Sequence, residues 1–385
     1  MLKVLTVFGT RPEAIKMAPL IKELQRHPDR VLCRVAVTAQ HREMLDQVLH
    51  LFRIIPDHDL DIMRPGQSLF DITRRALDGL EQVMARERPD LVLVHGDTTT
   101  TFVAALTAFY FQIPVGHVEA GLRTGDKYSP FPEEINRHLT AVVADLHFAP
   151  TATARDNLLR EGVAPEKIFV TGNTVIDALL ATVDPDYRFG DARLAGIDYR
   201  RRRVLLVTTH RRENLGEPMR EIYLALRDIV ALYPDVEVVF PVHKNPAVRG
   251  IVQEVLGELP RVHLIEPLSY QPFVNLMNRC YLVLTDSGGL QEEAPALGKP
   301  VLVLRNTTER PEAIRAGTVR LVGTTREAIF NETRRLLEDA AHYRQMAEAV
   351  NPYGDGRASR RICQAILYHF GSSDEPPEPF VTPEY

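Results

Sequence analysis

Cysteine is scarce in this 385-residue chain: Cys33, Cys280 and Cys363 are odd in number and far apart. That argues against a disulfide framework and against a Cys-based metal site, and it points to a reducing cytoplasm. Also missing is any apolar stretch long enough to cross a bilayer. The most apolar segment, residues 102–115, is broken by Thr107, Gln112 and Pro114 and reads as a buried helix followed by a strand. The N-terminus, Met1-Leu-Lys-Val-Leu-Thr-Val-Phe-Gly9, has one lysine, a short apolar core and no small-residue cleavage site, so it reads as a first strand and not as a signal peptide. Positive charge is not in excess either. A net charge of −5 gives no bulk attraction to nucleic acid or to anionic membranes, and the one basic run, residues 200–203, reads as solvated chain.

Several signatures of chemistry are absent. No Gly-x-Gly-x-x-Gly follows a strand, and there is no Walker loop, no His-Glu-x-x-His or Cys-x-x-Cys metal spacing and no Gly-x-Ser-x-Gly elbow. Asp59-Leu-Asp61 has the spacing of a metal-diphosphate motif, but it lies in a short strand-like segment before a proline turn and reads as structural. No metal is expected.

What is present is the alternation of a parallel α/β protein, at a length that suits two domains of ordinary size. Short β-branched runs at residues 3–8, 33–38, 91–95, 115–119, 146–149 and 167–171 are separated by amphipathic stretches. A second series follows at 204–208, 236–242, 262–265, 281–285, 301–304 and 319–322. Residues 184–203, rich in Pro, Gly, Asp and Arg, form the linker candidate. The tail from Gly371 has too few apolar residues to offset its ordering entropy and reads as mobile.

In parallel sheets ligands sit beyond the carboxyl ends of the strands, and most of the unusual polar density of the chain is gathered there. Asp286-Ser-Gly-Gly-Leu-Gln-Glu-Glu-Ala-Pro295 empties a buried strand into a glycine turn and a helix, the form of a phosphate cradle. Gly288 and Gly289 allow close approach of the backbone, and Glu292 or Glu293 can accept from ribose hydroxyls. Arg-Pro-Glu-Ala-Ile occurs twice, at residues 11–15 and 310–314, each time at a strand-to-helix turn, which suggests two similar halves facing one anionic ligand. Thr10 and Glu13 have capping-box spacing and read as structural, whereas Arg11 and Lys16, cations at a helix start, call for an anionic partner such as a diphosphate. Asp97 stands at a strand end before four threonines, where a helix cap and a catalytic carboxylate are both open readings. Glu119 and Glu133 can share its cleft, and Glu133 or Glu134 can equally favour the helix dipole. His210, at the mouth of a strand beside two arginines, is placed to meet a phosphate or leaving group.

Together, Val7-Phe-Gly-Thr-Arg-Pro-Glu-Ala-Ile-Lys16, His95-Gly-Asp-Thr-Thr99, Gly116-His-Val-Glu-Ala-Gly-Leu-Arg-Thr-Gly125, Thr171-Gly-Asn-Thr-Val-Ile-Asp177, His210-Arg-Arg-Glu-Asn214, Asp286 to Pro295 and Thr308-Glu-Arg-Pro-Glu312 make the chain closely resemble, almost end to end, the non-hydrolysing UDP-N-acetylglucosamine 2-epimerases. The resemblance implies a GT-B architecture: two Rossmann-like domains with parallel sheets and an interdomain active-site cleft. The first would comprise residues 1–172 with 357–370 and the second 173–356, with 371–385 as tail. It implies reversible conversion of UDP-GlcNAc to UDP-ManNAc in the cytoplasm by elimination and re-addition of UDP, without cofactor, in a homodimer that supplies cell-surface polysaccharide. Carried over by motif position, Asp97, Glu119 and Glu133 are the carboxylates around the reacting carbons, and His210 serves departing UDP. Arg11, Lys16, Arg310, Ser287, Gly288 and Gly289 would hold the diphosphate, with Glu293 on ribose and Phe273 near uracil. Gln40, His41, Glu134, Arg211 and His243 match parts of a second, allosteric UDP-GlcNAc site, although Glu43 and Gly66 stand where strongly regulated members carry Gln and Arg. A GT-B glycosyltransferase, a hydrolysing epimerase and a non-catalytic nucleotide-sugar sensor are the competing readings.

Overall fold

A computed structural model describes residues 1–39 and 42–382 of the protein. The chain forms two compact units, Met1–Ala181 with Tyr353–Val381, and Thr182–Pro352. Among the described residues no helix is long and apolar enough to cross a membrane.

The first unit contains β1 (Leu2–Phe8), β2 (Val31–Val37), β3 (His58–Asp59), β4 (Leu91–His95), β5 (Val115–Val118), β6 (Leu146–Ala149) and β7 (Ile168–Val170). They pair in parallel in the order β3-β2-β1-β4-β5-β6-β7. Continuous apolar runs explain this arrangement. Every residue of the Leu-Val-Leu-Val-His run of β4 is buried, as a strand covered on both faces requires. Leu5, Val7, Val92 and Val94 pack with Leu80, Met84 and Val103 from the flanking helices.

The second unit contains β8 (Arg203–Thr208), β9 (Val236–Pro241), β10 (Val262–Ile265), β11 (Leu282–Thr285), β12 (Val301–Val303) and β13 (Val319–Leu321). Their order, β10-β9-β8-β11-β12-β13, matches the first six strands of the other sheet. Each sheet therefore reverses its winding once, between β1 and β4 and between β8 and β11. Such a switch point opens a crevice at the carboxyl ends of the two strands.

Three details depart from the reading of the sequence. The stretch 184–203 is folded into the second unit, where Phe189 and Leu194 are buried and the Arg279 guanidinium lies 5.1 Å above the Phe189 ring while donating to the Tyr187 carbonyl. Aromatic packing and one short helix, Ala192–Ala195, hold it there. In the tail, a single aromatic is decisive: Phe380 is buried, donates its N–H to Val170 O at 2.9 Å and carries Arg361 above its ring. Finally, the two Arg-Pro-Glu-Ala-Ile copies occupy non-equivalent places. The first opens the helix Arg11–Gln25 after β1, at a switch point, whereas the second opens the helix Pro311–Arg315 after β12, away from one.

Candidate active site

In the first unit the turn after β1 passes so close to its neighbours that a β-carbon on Gly9 would lie 2.1 Å from Thr38 Oγ1. Glu13 clamps this turn to the one after β4. Its Oε2 accepts from the Gly9 and Thr10 N–H groups (3.0 and 2.8 Å), and its Oε1 accepts from the Thr98 and Thr101 hydroxyls (2.7 and 3.0 Å). Burial pushes the Glu13 carboxyl above its ordinary range despite these donors. This is the structural role expected for it.

Asp97 follows Gly96, whose φ of +68° suits a residue without a β-carbon. Arg137, on the helix Glu133–Val143, holds Asp97 Oδ2 through Nε (2.9 Å) and a terminal nitrogen (2.7 Å), and Asn136 donates to the Asp97 carbonyl at 2.9 Å. Arg137 also reaches buried Glu134 at 2.9 Å. Burial raises the Glu134 pKa, but the N–H groups of Gly125 and Thr124 and the Arg137 charge outweigh it and hold the carboxyl below its usual range. Glu133 is half-buried in the first turn of the same helix.

Glu119 adopts a left-handed φ of +63°, which a β-carbon disfavours by about 1–2 kcal/mol. The strained turn ends β5 one residue before the expected strand end and directs the carboxylate onto Lys16. Asn173 donates to the same oxygen at 2.9 Å, and His95 Nε2 lies 3.7 Å from it. Lys16, expected as a diphosphate ligand, is thus paired with a catalytic candidate. Arg11 is half-buried at the start of its helix.

In the second unit Asp286, fully buried at the end of β11, gathers the turn after β8. It accepts from the N–H groups of His210 and Arg211 (2.9 Å each) and from Asn214 at 3.3 Å, and it lies 3.0 Å from His210 Nδ1. Burial alone would raise the Asp286 pKa. The His210 hydrogen bond and the Arg211 N–H override it, and the carboxyl sits below its ordinary range. The resulting pair fixes the imidazole by Nδ1 and leaves Nε2 for another partner. The His243 ring lies 6.2 Å from that of His210.

Ion pairs flank the glycine turn. The Ser287 N–H bonds to Thr285 Oγ1 at 2.9 Å, Gly288 approaches the Glu309 carboxylate, and Gly289 caps the helix Leu290–Ala296. Arg211 meets Glu309 at 2.9 Å and Arg305 meets it at 2.6 Å. Although burial opposes it, the Glu309 carboxyl is held at about 2 by backbone hydrogen bonding and these arginines. Arg310 is bound to Glu292, while Glu293 and Phe273 are half-buried nearby in sequence and on the helix Tyr270–Arg279 respectively. Gln40 and His41 lie outside the described residues.

Sequence reasoning did not single out Arg137, Asn173, His95 or Asp286 as functional, although the last three lie in quoted motifs and Arg137 is on the helix that Glu133 opens. Among the described residues no group of three or more His, Cys, Asp or Glu is placed to hold a metal ion.

Comparison with known proteins bears on the same arrangement. A family model described as UDP-N-acetylglucosamine 2-epimerase matches residues 22–367. The UDP-N-acetylglucosamine 2-epimerase of Escherichia coli strain K12 is 59% identical over 378 residues, covering 95% of this chain and 98% of its own. A crystal structure of a UDP-N-acetylglucosamine 2-epimerase superposes with a TM-score of 0.92 at 54% identity, covering 99% of each chain. The Neisseria meningitidis enzyme bound to UDP-GlcNAc gives 0.82 at 51% identity, covering 95% of this chain and 100% of that one.

Proposed function

This chain belongs to the UDP-N-acetylglucosamine 2-epimerase family and is an isomerase of that kind, and from that premise we propose that it interconverts UDP-GlcNAc and UDP-ManNAc by eliminating and re-adding UDP. The C2 hydrogen beside an acetamido group is too weakly acidic for a carboxylate to remove directly. If the C1–O bond to UDP breaks first or concurrently, positive charge at C1 makes that proton removable. The C2–H electron pair then forms the C1=C2 bond of 2-acetamidoglucal, and the C1–O pair leaves with UDP. Re-addition of UDP, with protonation of the opposite face of C2, gives the epimer.

Asp97, Glu119 and Glu133 are proposed as the acid and base groups around C1 and C2. His210, fixed by Asp286 at Nδ1, presents Nε2 to the departing diphosphate. Arg11, Arg310 and the turn Ser287 to Gly289 hold that diphosphate, with Glu293 on ribose and Phe273 beside uracil. Lys16 leaves Glu119 for the diphosphate as the glutamate loses its charge. Glu134, Arg211 and His243 remain proposals for a second UDP-GlcNAc site. The protein would work as a cytoplasmic homodimer supplying ManNAc units to cell-surface polysaccharide.

The observation that carries this reading is the pair of carboxylates at neighbouring strand ends, Asp97 after β4 and Glu119 after β5, each held by a cation. Proton NMR of the protein with UDP-GlcNAc in D₂O tests it. Deuterated UDP-GlcNAc and UDP-ManNAc at a stable ratio without accumulating UDP are expected. Steady release of free ManNAc would mean hydrolysis instead, and binding without exchange would remove the reading.

A further inference from the structure

We propose that His95 is a positioning residue for Glu119, supplying the hydrogen-bond acceptor for the carboxyl proton that Glu119 holds while the intermediate exists. The proposal rests on the reading of Glu119 as a group that takes and returns a proton at C2.

The chemistry of the neighbours leads there. Glu119 Oε2 is approached by the Lys16 ammonium, by Asn173 Nδ2 at 2.9 Å and by His95 Nε2 at 3.7 Å. An ammonium and an amide NH₂ only donate. They suit a carboxylate, but neither can receive the O–H of a carboxylic acid. The acceptor of Asn173, its Oδ1, is engaged by the Val175 N–H at 3.1 Å, so of these three neighbours only the imidazole nitrogen offers a lone pair.

His95 is well suited to wait for that proton. It is buried, with 3% of its surface exposed, and neither ring nitrogen has a hydrogen-bond partner among the described residues. Unmet polar atoms at such depth are rare and carry a free-energy cost, so they call for a reason. Burial also holds the imidazole pKa down to about 4, opposed by Glu119 and aided by Lys16, so the ring is neutral and keeps its lone pair at physiological pH. The adjacent histidine is employed differently: His117 bonds the Gly96 carbonyl through Nε2 at 2.7 Å. Among the described residues, Glu119, Lys16 and His117 are titratable groups that interact electrostatically with His95.

In the step envisaged, the C2 proton moves to Glu119 and stays there. The glutamic acid O–H turns to His95 Nε2 over less than one ångström of closure, and no proton passes to the imidazole. Return of the proton to C2 restores the Lys16 pair.

The test compares His95→Leu with His95→Gln in the full-length enzyme, reading C2 deuterium exchange on UDP-GlcNAc across pH. An acceptor that stabilises the acid form raises the Glu119 pKa, so its loss lowers it. His95→Leu should reduce kcat about tenfold with KM within roughly twofold, and should move the acid limb of kcat/KM to lower pH. His95→Gln, whose carbonyl can accept, should restore most of the rate and the position of the limb. If the leucine variant does not fold, His95→Met, which lacks a strong acceptor, takes its place. An acid limb that stays where the wild type has it in the apolar variant overturns the proposal. Glu119→Gln separates the two failures: retained exchange there removes the underlying reading, whereas lost exchange with an unaltered His95→Leu profile removes only the role of His95.

Discussion

The two sheets close their switch points with the same device and opposite electrostatics. In each, a buried carboxylate accepts two successive backbone N–H groups from the turn after the first central strand: Glu13 takes those of Gly9 and Thr10, and Asp286 takes those of His210 and Arg211. Glu13 adds only neutral hydroxyls, so burial prevails and its pKa rises. Asp286 adds an imidazole, so its pKa falls. The first clamp, bonded to backbone N–H groups and hydroxyls alone, holds two turns together. The one that stays ionised also orients a histidine, and this sets the switch point of the second unit apart from that of the first.

The strongest way to sharpen that comparison is to remove the group the Glu13 clamp supports. Asp97→Asn keeps the shape and the Asn136 contact to the backbone carbonyl but removes the charge that Arg137 meets. Exchange at C2 should fall roughly 10²- to 10⁴-fold, the usual contribution of general acid–base catalysis, while UDP affinity measured by calorimetry stays within about threefold. Unchanged turnover would break the assignment. Next in size is Asp286→Asn, which turns the ionised clamp into a neutral one. Loss of the fixed tautomer should cost roughly 10²-fold in kcat, by the logic of an aspartate that orients a catalytic imidazole. Equal losses of activity in Asp286→Asn and Glu13→Gln would show that the two clamps do not differ as argued.

Acid should then separate the units. Burial lowers His95, His117 and His147 of the first unit to about 4, 3 and 4. Unfolded histidine titrates near 6.5, so below that value the unfolded chain binds protons that the folded unit refuses. Stability from these groups is complete above about pH 6.5 and is lost as the pH falls toward 4, by an amount on the order of 3 kcal/mol per histidine. Glu13 and Asp177, with raised pKa values, shift stability in the opposite direction and offset part of the loss. The second unit relies on depressed carboxylates, Asp286 and Glu309, whose contribution is lost only below the ordinary carboxylate range near 4. Hydrogen exchange by mass spectrometry, corrected for intrinsic rates, should therefore show β4 to β6 losing protection between pH 6 and 4.5 while β8 to β11 keep theirs. Simultaneous loss in both units would contradict the distinction.

Much of this architecture was open to sequence reasoning because parallel strands buried on both faces leave a plain apolar signature. The runs at 91–95, 146–149 and 262–265 coincide with β4, β6 and β10. What escaped depends on distance or on backbone geometry. Glu119 looked like the last residue of a strand, and nothing in its neighbours announced the left-handed turn that aims it at Lys16. Arg137 meets Asp97 across 40 positions and Asp286 meets His210 across 76, pairings created by the fold. The passage from buried strand through glycine turn to helix was legible in the sequence, yet its first residue, Asp286, bears the carboxylate that organises the turn after β8. Composition misjudged the tail in a different way, since an average cannot register one well-placed Phe380.

The smallest expected effect bears on the cations of the second unit. Arg310 is held by Glu292, a buried carboxylate one turn into the helix of the glycine turn, so a diphosphate that recruits Arg310 must compete with an internal anion. Glu292→Gln keeps the volume and one acceptor but removes that competitor. UDP affinity should increase about two- to fivefold at low ionic strength, with the gain shrinking as salt screens the interaction. The unliganded protein should lose about 1 kcal/mol, since the hydrogen bond survives while the charge does not. UDP should accordingly raise Tm more in the variant than in the parent, through its tighter binding to the folded state. Weaker binding by the variant would give Glu292 the opposite role: aiming the guanidinium at the ligand, as Asp286 aims His210, which would extend the ionised-clamp arrangement across the whole second unit.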